Sequence, residues 1–260
     1  MIGFLIKKTF FDLWDNMLRI VLLNLGFLAS AAIPVFLPGI IPIPALSITV
    51  FAAGILWCCI YLSTAAISLK AVSDYGVCGP ADFWSNLKTA WPAGIAAGVI
   101  GLFLFALARI VIPFYLRIKS PAGLLLAAVI FWTLPFALLS FQFFFAIRAR
   151  LDTRLLKICR KCFIIFFDNP AFALFCLLGI LLTLVISLIL ALLFPGPAGI
   201  LLFLDEALRL RLLKYDWLEA NPPAEESTKR RIIPWDAILI EEREKTGTRT
   251  LKSFIFPWKD

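Results

Sequence analysis

Polar side chains that interrupt long apolar runs are where this chain could do chemistry. Asp205 and Glu206 stand side by side in the segment Ala198–Leu218, which begins apolar and then also carries Arg209, Arg211 and Lys214. Arg109 sits alone late in another apolar run, and Asn24 and Gln142 lie inside two more. Charged and amide groups are costly in hydrocarbon, so each of these is a candidate for a solute or ion site, or for a lock between helices. Counting 1.5 Å per residue, the acid pair is expected roughly 13–15 Å below a turn at Gly196. A pairing with Arg109 would let each group tolerate burial, and Asp205 also reaches Arg209 at i,i+4. Asn24 and Gln142, with Asn169, form a second group at the inner ends of their helices, suited to amide hydrogen bonds between helices.

Other chemistry is missing from the sequence. Histidine is absent from all 260 residues, which removes His-based triads, His metal sites and His-ligated haem. No GxxxxGK[ST], GxGxxG or GxSxG pattern occurs. Cys159-Arg-Lys-Cys162 is a lone CxxC whose basic neighbours are expected to lower the thiol pKa. It has no second pair to complete a zinc site, and Cys58, Cys59 and Cys176 lie inside apolar runs as small hydrophobes. The expectation is a protein with no catalytic residues, no metal and no cofactor.

The elements that must position these groups are membrane helices. Hydrophobic residues make up 62% of the chain, and Ile20–Leu69 runs for fifty residues without a charge, which no soluble core of this size needs. About 20 apolar residues cross the hydrocarbon as a helix. Spans are expected from Ile20 to about residue 37, where Pro34, Pro38, Pro42 and Pro44 make a turn, and from Ala45 to Leu69. Three more run from Trp91 to Phe114, from Ser120 to Ile147, and from Pro170 to Phe194. The sixth segment, Ala198–Leu218, returns to the inner side, either as a shielded span or as a re-entrant piece. The fold class is therefore all-α, a polytopic membrane helix bundle of five to six spans whose first partner is the lipid bilayer.

Charge orients the bundle. With the N-terminus inside, 22 of the 25 Lys and Arg fall on the inner side, and only Arg109, Arg117 and Lys119 fall outside. Both termini are expected to be cytoplasmic. The net charge of +8 reads as this retention signal, and nothing suggests a nucleic-acid partner. Met1–Lys8 has its positive charges after the apolar residues and carries no cleavage site, so no removable signal is expected.

A threefold pattern runs through the chain. Phe10–Asn16, Asp82–Trp91 and Leu156–Pro170 each lead into a span, and matching Asn16, Trp91 and Asn169 gives offsets of 75 and 78 residues. Each unit is read as an interfacial helix followed by a transmembrane hairpin. Ala90, Gly94, Ala97/Gly98 and Gly101 put small residues on one face of the third span, including a GxxxG suited to close packing within the chain.

Residues 1–218 thus form a transmembrane domain and 219–260 a cytoplasmic tail. In the tail, two aromatic-apolar patches flank the charged stretch Glu241–Arg249. Trp235, Phe254 and Trp258 are its expected anchors, either folding back onto the domain or docking a membrane or cytoplasmic protein partner.

The chain resembles the YesL-like family of bacterial integral membrane proteins over roughly residues 10–215. The resemblance rests on Leu23-Asn24-Leu25, Pro34, the loop from Tyr75-Gly76 through Asp82-Phe83-Trp84 to Trp91, and the basic aromatic stretch ending at Asn169-Pro170. It implies a bacterial inner-membrane location and a link to carbohydrate uptake systems, and it brings no catalytic residues.

Overall fold

The computed structural model describes residues 1–77, 79–118, 120–221, 233–247 and 249. Among these residues there are helices and no strand. α1 (Ile2–Asp15) precedes α2 (Met17–Ile40) and α3 (Pro44–Ser73). α4 (Pro80–Ala106) runs through a π-helical turn, Leu107–Val111, into α5 (Ile112–Arg117). α6 (Pro121–Phe141) leads to α7 (Phe144–Arg150), and then come α8 (Leu155–Asp168), α9 (Pro170–Ile189) and α10 (Gly196–Ala220). The tail contributes two short helices, α11 (Trp235–Ile238) and α12 (Ile240–Thr246). Met17–Ile40, Pro44–Ser73, Pro80–Arg117, Pro121–Arg150 and Pro170–Ile189 are long and apolar enough to cross a membrane. The protein is a multi-pass helical membrane protein.

Local chemistry sets the helix starts. Proline occupies the first turn of α3, α4, α6 and α9, where its missing N–H costs nothing. Ser120 Oγ accepts the N–H of Gly123 at 3.1 Å, and Asn169 Oδ1 accepts that of Phe172 at 2.9 Å, capping α6 and α9.

The leading helix of the first and third units is built as expected, with α1 and α8 broken from the helix that follows at Asn16 and Asn169. The second is not. The helix expected to begin at Trp91 begins at Pro80, where the Gly79 N–H donates to Asp82 Oδ2 at 2.7 Å, and it passes through Pro92 unbroken. Carbonyls in the turn before Pro92 are met by side chains: Arg148 donates to Thr89 O at 2.6 Å and Ser63 to Ala90 O at 3.1 Å. Borrowed donors of this kind let proline persist inside a membrane helix. α2 likewise carries Pro34 and Pro38 within it and ends three residues later than expected, at Ile40.

Close backbone approach joins α3 to its neighbours. A Cβ on Gly94 would lie 2.3 Å from Ile60 Cα, one on Gly98 2.7 Å from Leu56 Cδ2, and one on Gly54 2.9 Å from Pro34. Gly94 and Gly98 thus serve packing within the chain, whereas Gly101 faces open space.

α10 is the buried helix of the fold. Both clusters of the core include it, one through Phe203, Leu204 and Leu208 and the other through Ala198, Leu201 and Leu202. Its start is where the expected geometry fails. Asn24 Nδ2 donates to Leu193 O at 2.9 Å and to Pro195 O at 2.7 Å, while its Oδ1 accepts the Ala198 N–H at 2.9 Å. Gly196, at φ +62°, sits against this amide so tightly that a Cβ would fall 2.3 Å from Asn24 Nδ2. Asn24 is only seven residues into α2, so the tip of the α9–α10 hairpin lies about 10 Å from the start of α2 and about 24 Å short of its far end. The sixth segment packs beside α2 and α3, and it runs to the end of the bundle that holds α1 and the tail. That end is called the charged end below.

Candidate functional site

The shortened hairpin relocates the acid pair. Because Gly196 lies low in the bundle, Asp205 and Glu206 come to the charged end, level with the last residues of α3. Arg109 is left on the exposed π-helical turn and makes no ion pair among the described residues. The partner of Asp205 is Arg150 at the end of α7, bound through two hydrogen bonds of 2.8 and 2.6 Å. The same guanidinium reaches Asp74 Oδ1 at 2.9 Å and Ser73 Oγ at 2.8 Å. Arg209 does not turn back on Asp205 as the i,i+4 spacing suggested. It binds Asp74 at 2.7 Å and Glu242 of α12 at 2.5 Å.

Glu206 faces the other way, toward α1. Its Oε2 accepts a short hydrogen bond from the Thr9 hydroxyl, and Lys8 Nζ stands 3.9 Å from its Oε1. Lys8 makes its closer contact, 2.5 Å, with Asp12 one turn along α1. Lys8, Asp205 and Glu206 are all almost fully buried, and Oε1 of Glu206 has no hydrogen-bond partner among the described residues. Burial alone would lower the Lys8 pKa, but Glu206 and Asp12 outweigh it and hold the ammonium above its usual value.

Tyr75 ties these halves together. It adopts φ 61°, a left-handed conformation that a bulky residue takes only when its surroundings enforce it. Lys8 Nζ lies 4.0 Å above the centre of its ring, and the Tyr75 hydroxyl binds Glu242 Oε2 at 2.9 Å and Thr246 Oγ1 at 3.1 Å. α1, α3, α7, α10 and α12 are thereby joined in one polar network. Such a network is strongly destabilised when one member is removed, because the remaining charge is left buried.

Tail and cysteines follow from the same packing. Leu239 is fully buried and Trp235 packs against the core, so the described part of the tail folds back onto the domain. Lys7 Nζ donates to Gly247 O at 3.0 Å, and Arg249 pairs with Asp15 at 2.8 Å. Phe254, Trp258 and Lys119 lie outside the described residues. Gln142 Nε2 bridges to Ala173 O of α9 at 2.9 Å, an amide bond between helices of the kind expected. The expectation for the CxxC is reversed. Cys162 is packed in the core, and burial pushes its thiol well up, with Cys159 also raised. The basic neighbours do not offset this, because Arg160 is on the exposed side of α8.

Sequence reasoning missed Lys8, Thr9, Asp12, Asp74, Tyr75, Arg150 and Glu242 as members of this site. Only Lys8 and Asp12, four apart on an amphipathic helix, carried a local signal. The chain matches no protein-family model, no curated protein and no solved structure. The reading of function rests on the geometry.

Proposed function

We propose that this chain is a non-catalytic accessory or scaffold subunit of a bacterial inner membrane, serving a solute uptake system, with carbohydrate as the solute class. The charged end faces the cytosol, and residues 219–260 form a cytoplasmic tail. One observation carries this reading. Asp205 and Glu206 line neither the cavity beside Lys7 and Arg243 nor the one between α2 and α4, but sit inside a closed network that fastens the tail to the domain. A polar centre used to hold a cytosolic surface in shape suits a subunit that presents that surface to a partner. Exposed Ile240 and Glu241 on α12 are where such a partner would be met.

Crosslinking and affinity purification from native membranes test this. Deleting 232–260 is expected to release the partner, although it also removes Glu242 from the network. The double substitution Ile240→Asp, Glu241→Lys is expected to release it without disturbing the tail's own contacts. An unchanged set of crosslinked proteins in both variants rejects the reading. Single engineered thiols between Arg148 and Lys161 are expected to resist a membrane-impermeant reagent in intact cells, and labelling there rejects the orientation.

A second reading, a small transporter, is favoured by the open Oε1 of Glu206. Its site no longer includes Arg109. It requires that Glu206→Gln or Asp205→Asn alter uptake into reconstituted vesicles with thermal stability unchanged, and a loss of stability alone dismisses it.

A further inference from the structure

A groove of about 550 Å³ opens between α2 and the first turns of α4, floored by α3 and not lined by the acid pair. Arg19 and Trp84 stand at its mouth, at the charged end, and Ser30 and Trp57 close its far end. From Arg19 to Ser30 is eleven residues of α2, or about 16 Å, which is half of a hydrocarbon core of about 30 Å. The groove is therefore one leaflet deep.

Its walls are apolar in effect, because each hydroxyl on them is already bonded within the protein. Ser30 Oγ donates to Gly26 O at 2.9 Å and accepts from Trp57 Nε1 at 3.2 Å. The Tyr61 hydroxyl donates to Leu23 O at 2.8 Å. Ser68 Oγ donates to Thr64 O at 3.1 Å and accepts from Asn86 at 3.1 Å. A sugar or other polar solute would find the hydroxyl hydrogens along this length already donated, whereas a hydrocarbon chain needs none.

The mouth differs from the walls. Arg19 donates to Asn16 Oδ1 at 3.0 Å and has no carboxylate partner among the described residues, unlike Arg150 and Arg209 of the network. Asp82, the acid nearest in sequence to the mouth residues, is turned onto the Gly79 N–H. A guanidinium with donors to spare above a leaflet-deep apolar slot has the charge and shape complement of one ligand class. We propose that this groove is a binding site for an anionic phospholipid, with an acyl chain lying between α2 and α4 and the phosphate held by Arg19. The proposal stands apart from the accessory reading, since neither the tail nor the polar network takes part.

Native mass spectrometry of the full chain in detergent, with phosphatidylglycerol and phosphatidylcholine added in turn, tests it. The wild-type chain is expected to retain phosphatidylglycerol preferentially. Arg19→Gln is expected to reduce that retention about fivefold, the effect of one basic residue near a lipid surface. Arg19→Lys should keep most of it, and Arg117→Gln, at the other end of the bundle, should change nothing. Leu22→Trp, which fills the groove, should lose both lipids while the melting temperature is kept. Equal retention of the two lipids by the wild type, or no effect of Arg19→Gln, would mean ordinary annular lipid and overturn the site. A rise in lipid retention when Phe254 and Trp258 are both replaced by Asp would also overturn it, by making the C-terminal residues of this chain the occupant.

Discussion

Arg109 and Arg150 are the same side chain at opposite ends of the bundle, and their surroundings have little in common. Arg150 is enclosed, with Asp205, Asp74 and Ser73 taking up its donors. Arg109 projects outward from the π-helical turn among exposed Phe105, Ile110 and Phe114. The contrast extends to the ends they occupy. At the charged end, polar groups from five helices interlock, whereas at the far end the turn between α2 and α3 is closed by little more than Ser47 donating to Pro38 O at 2.8 Å. Hydrocarbon gives helices no apolar reason to associate, so definition of the fold comes from small-residue contacts and polar locks, and the polar locks are concentrated at one end.

The largest expected effect is at Arg150. Arg150→Gln leaves the buried carboxylate of Asp205 without its cation, while exposed Asp74 keeps Arg209, and it is expected to cost about 3–5 kcal/mol, read from unfolding in detergent. The same change at Arg109 is expected to stay within about 0.5 kcal/mol. Equal losses at the two sites would erase the distinction between the ends.

Asn24→Leu probes the lock that sets the depth of the α9–α10 hairpin. It strips the Asn24 amide from Leu193 O and the Ala198 N–H, at about 1 kcal/mol or more for each group left bare, while Pro195 O keeps the Gly199 N–H. Faster amide exchange confined to the start of α10 is the expected signature. Exchange unchanged there would mean that the hairpin is held by something else.

Gly94→Val against Gly101→Val repeats the comparison with one residue type. The first drives a side chain into the backbone of α3 and is expected to cost about 1–3 kcal/mol, while the second meets open space and is expected to be near neutral. A smaller effect comes from Asp168, which accepts from Tyr215 at 2.8 Å and from Lys214 at 3.1 Å. Burial would raise its pKa, but these two partners more than offset that and hold it below the usual carboxylate value. Its contribution is therefore present above the unfolded pKa of about 3.9 and lost as the pH falls through the lower folded value. Wild type and Asp168→Asn should differ slightly at neutral pH and converge in acid, and a gap that persists in acid would remove the ion pair from the account.

Much of this architecture was legible because lipid restricts what a chain can do. Fifty uncharged residues broken by a proline cluster can hardly be anything but a helical hairpin, and α2 and α3 follow that outline. Depth was not legible. Pro170–Ile189 is long and apolar enough to cross, as expected, but hydropathy registers how long an apolar run is, not which neighbour its end meets. The amide of Asn24, more than 160 residues earlier, is what catches the hairpin tip low in the bundle. The error propagated to Asp205 and Glu206, whose types were noticed but whose partners were not. Pro92 misled for a local reason, since the donors that rescue its turn come from Ser63 on α3 and Arg148 on α7. Lys8 and Glu206 meet across nearly two hundred residues, a distance at which no periodicity carries a signal.

The bond from Lys7 to Gly247 has a consequence for the order in which the protein comes into being. Ribosomes release chains from the N-terminus onward, so α1 and the membrane helices are present while residues 235–249 are still unmade. Until those residues are made, Arg209 lacks Glu242 and the Tyr75 hydroxyl lacks both of its tail partners. The surface offered to the membrane-insertion machinery is thus an unfinished one, and residues 235–249 supply the clasp that closes it.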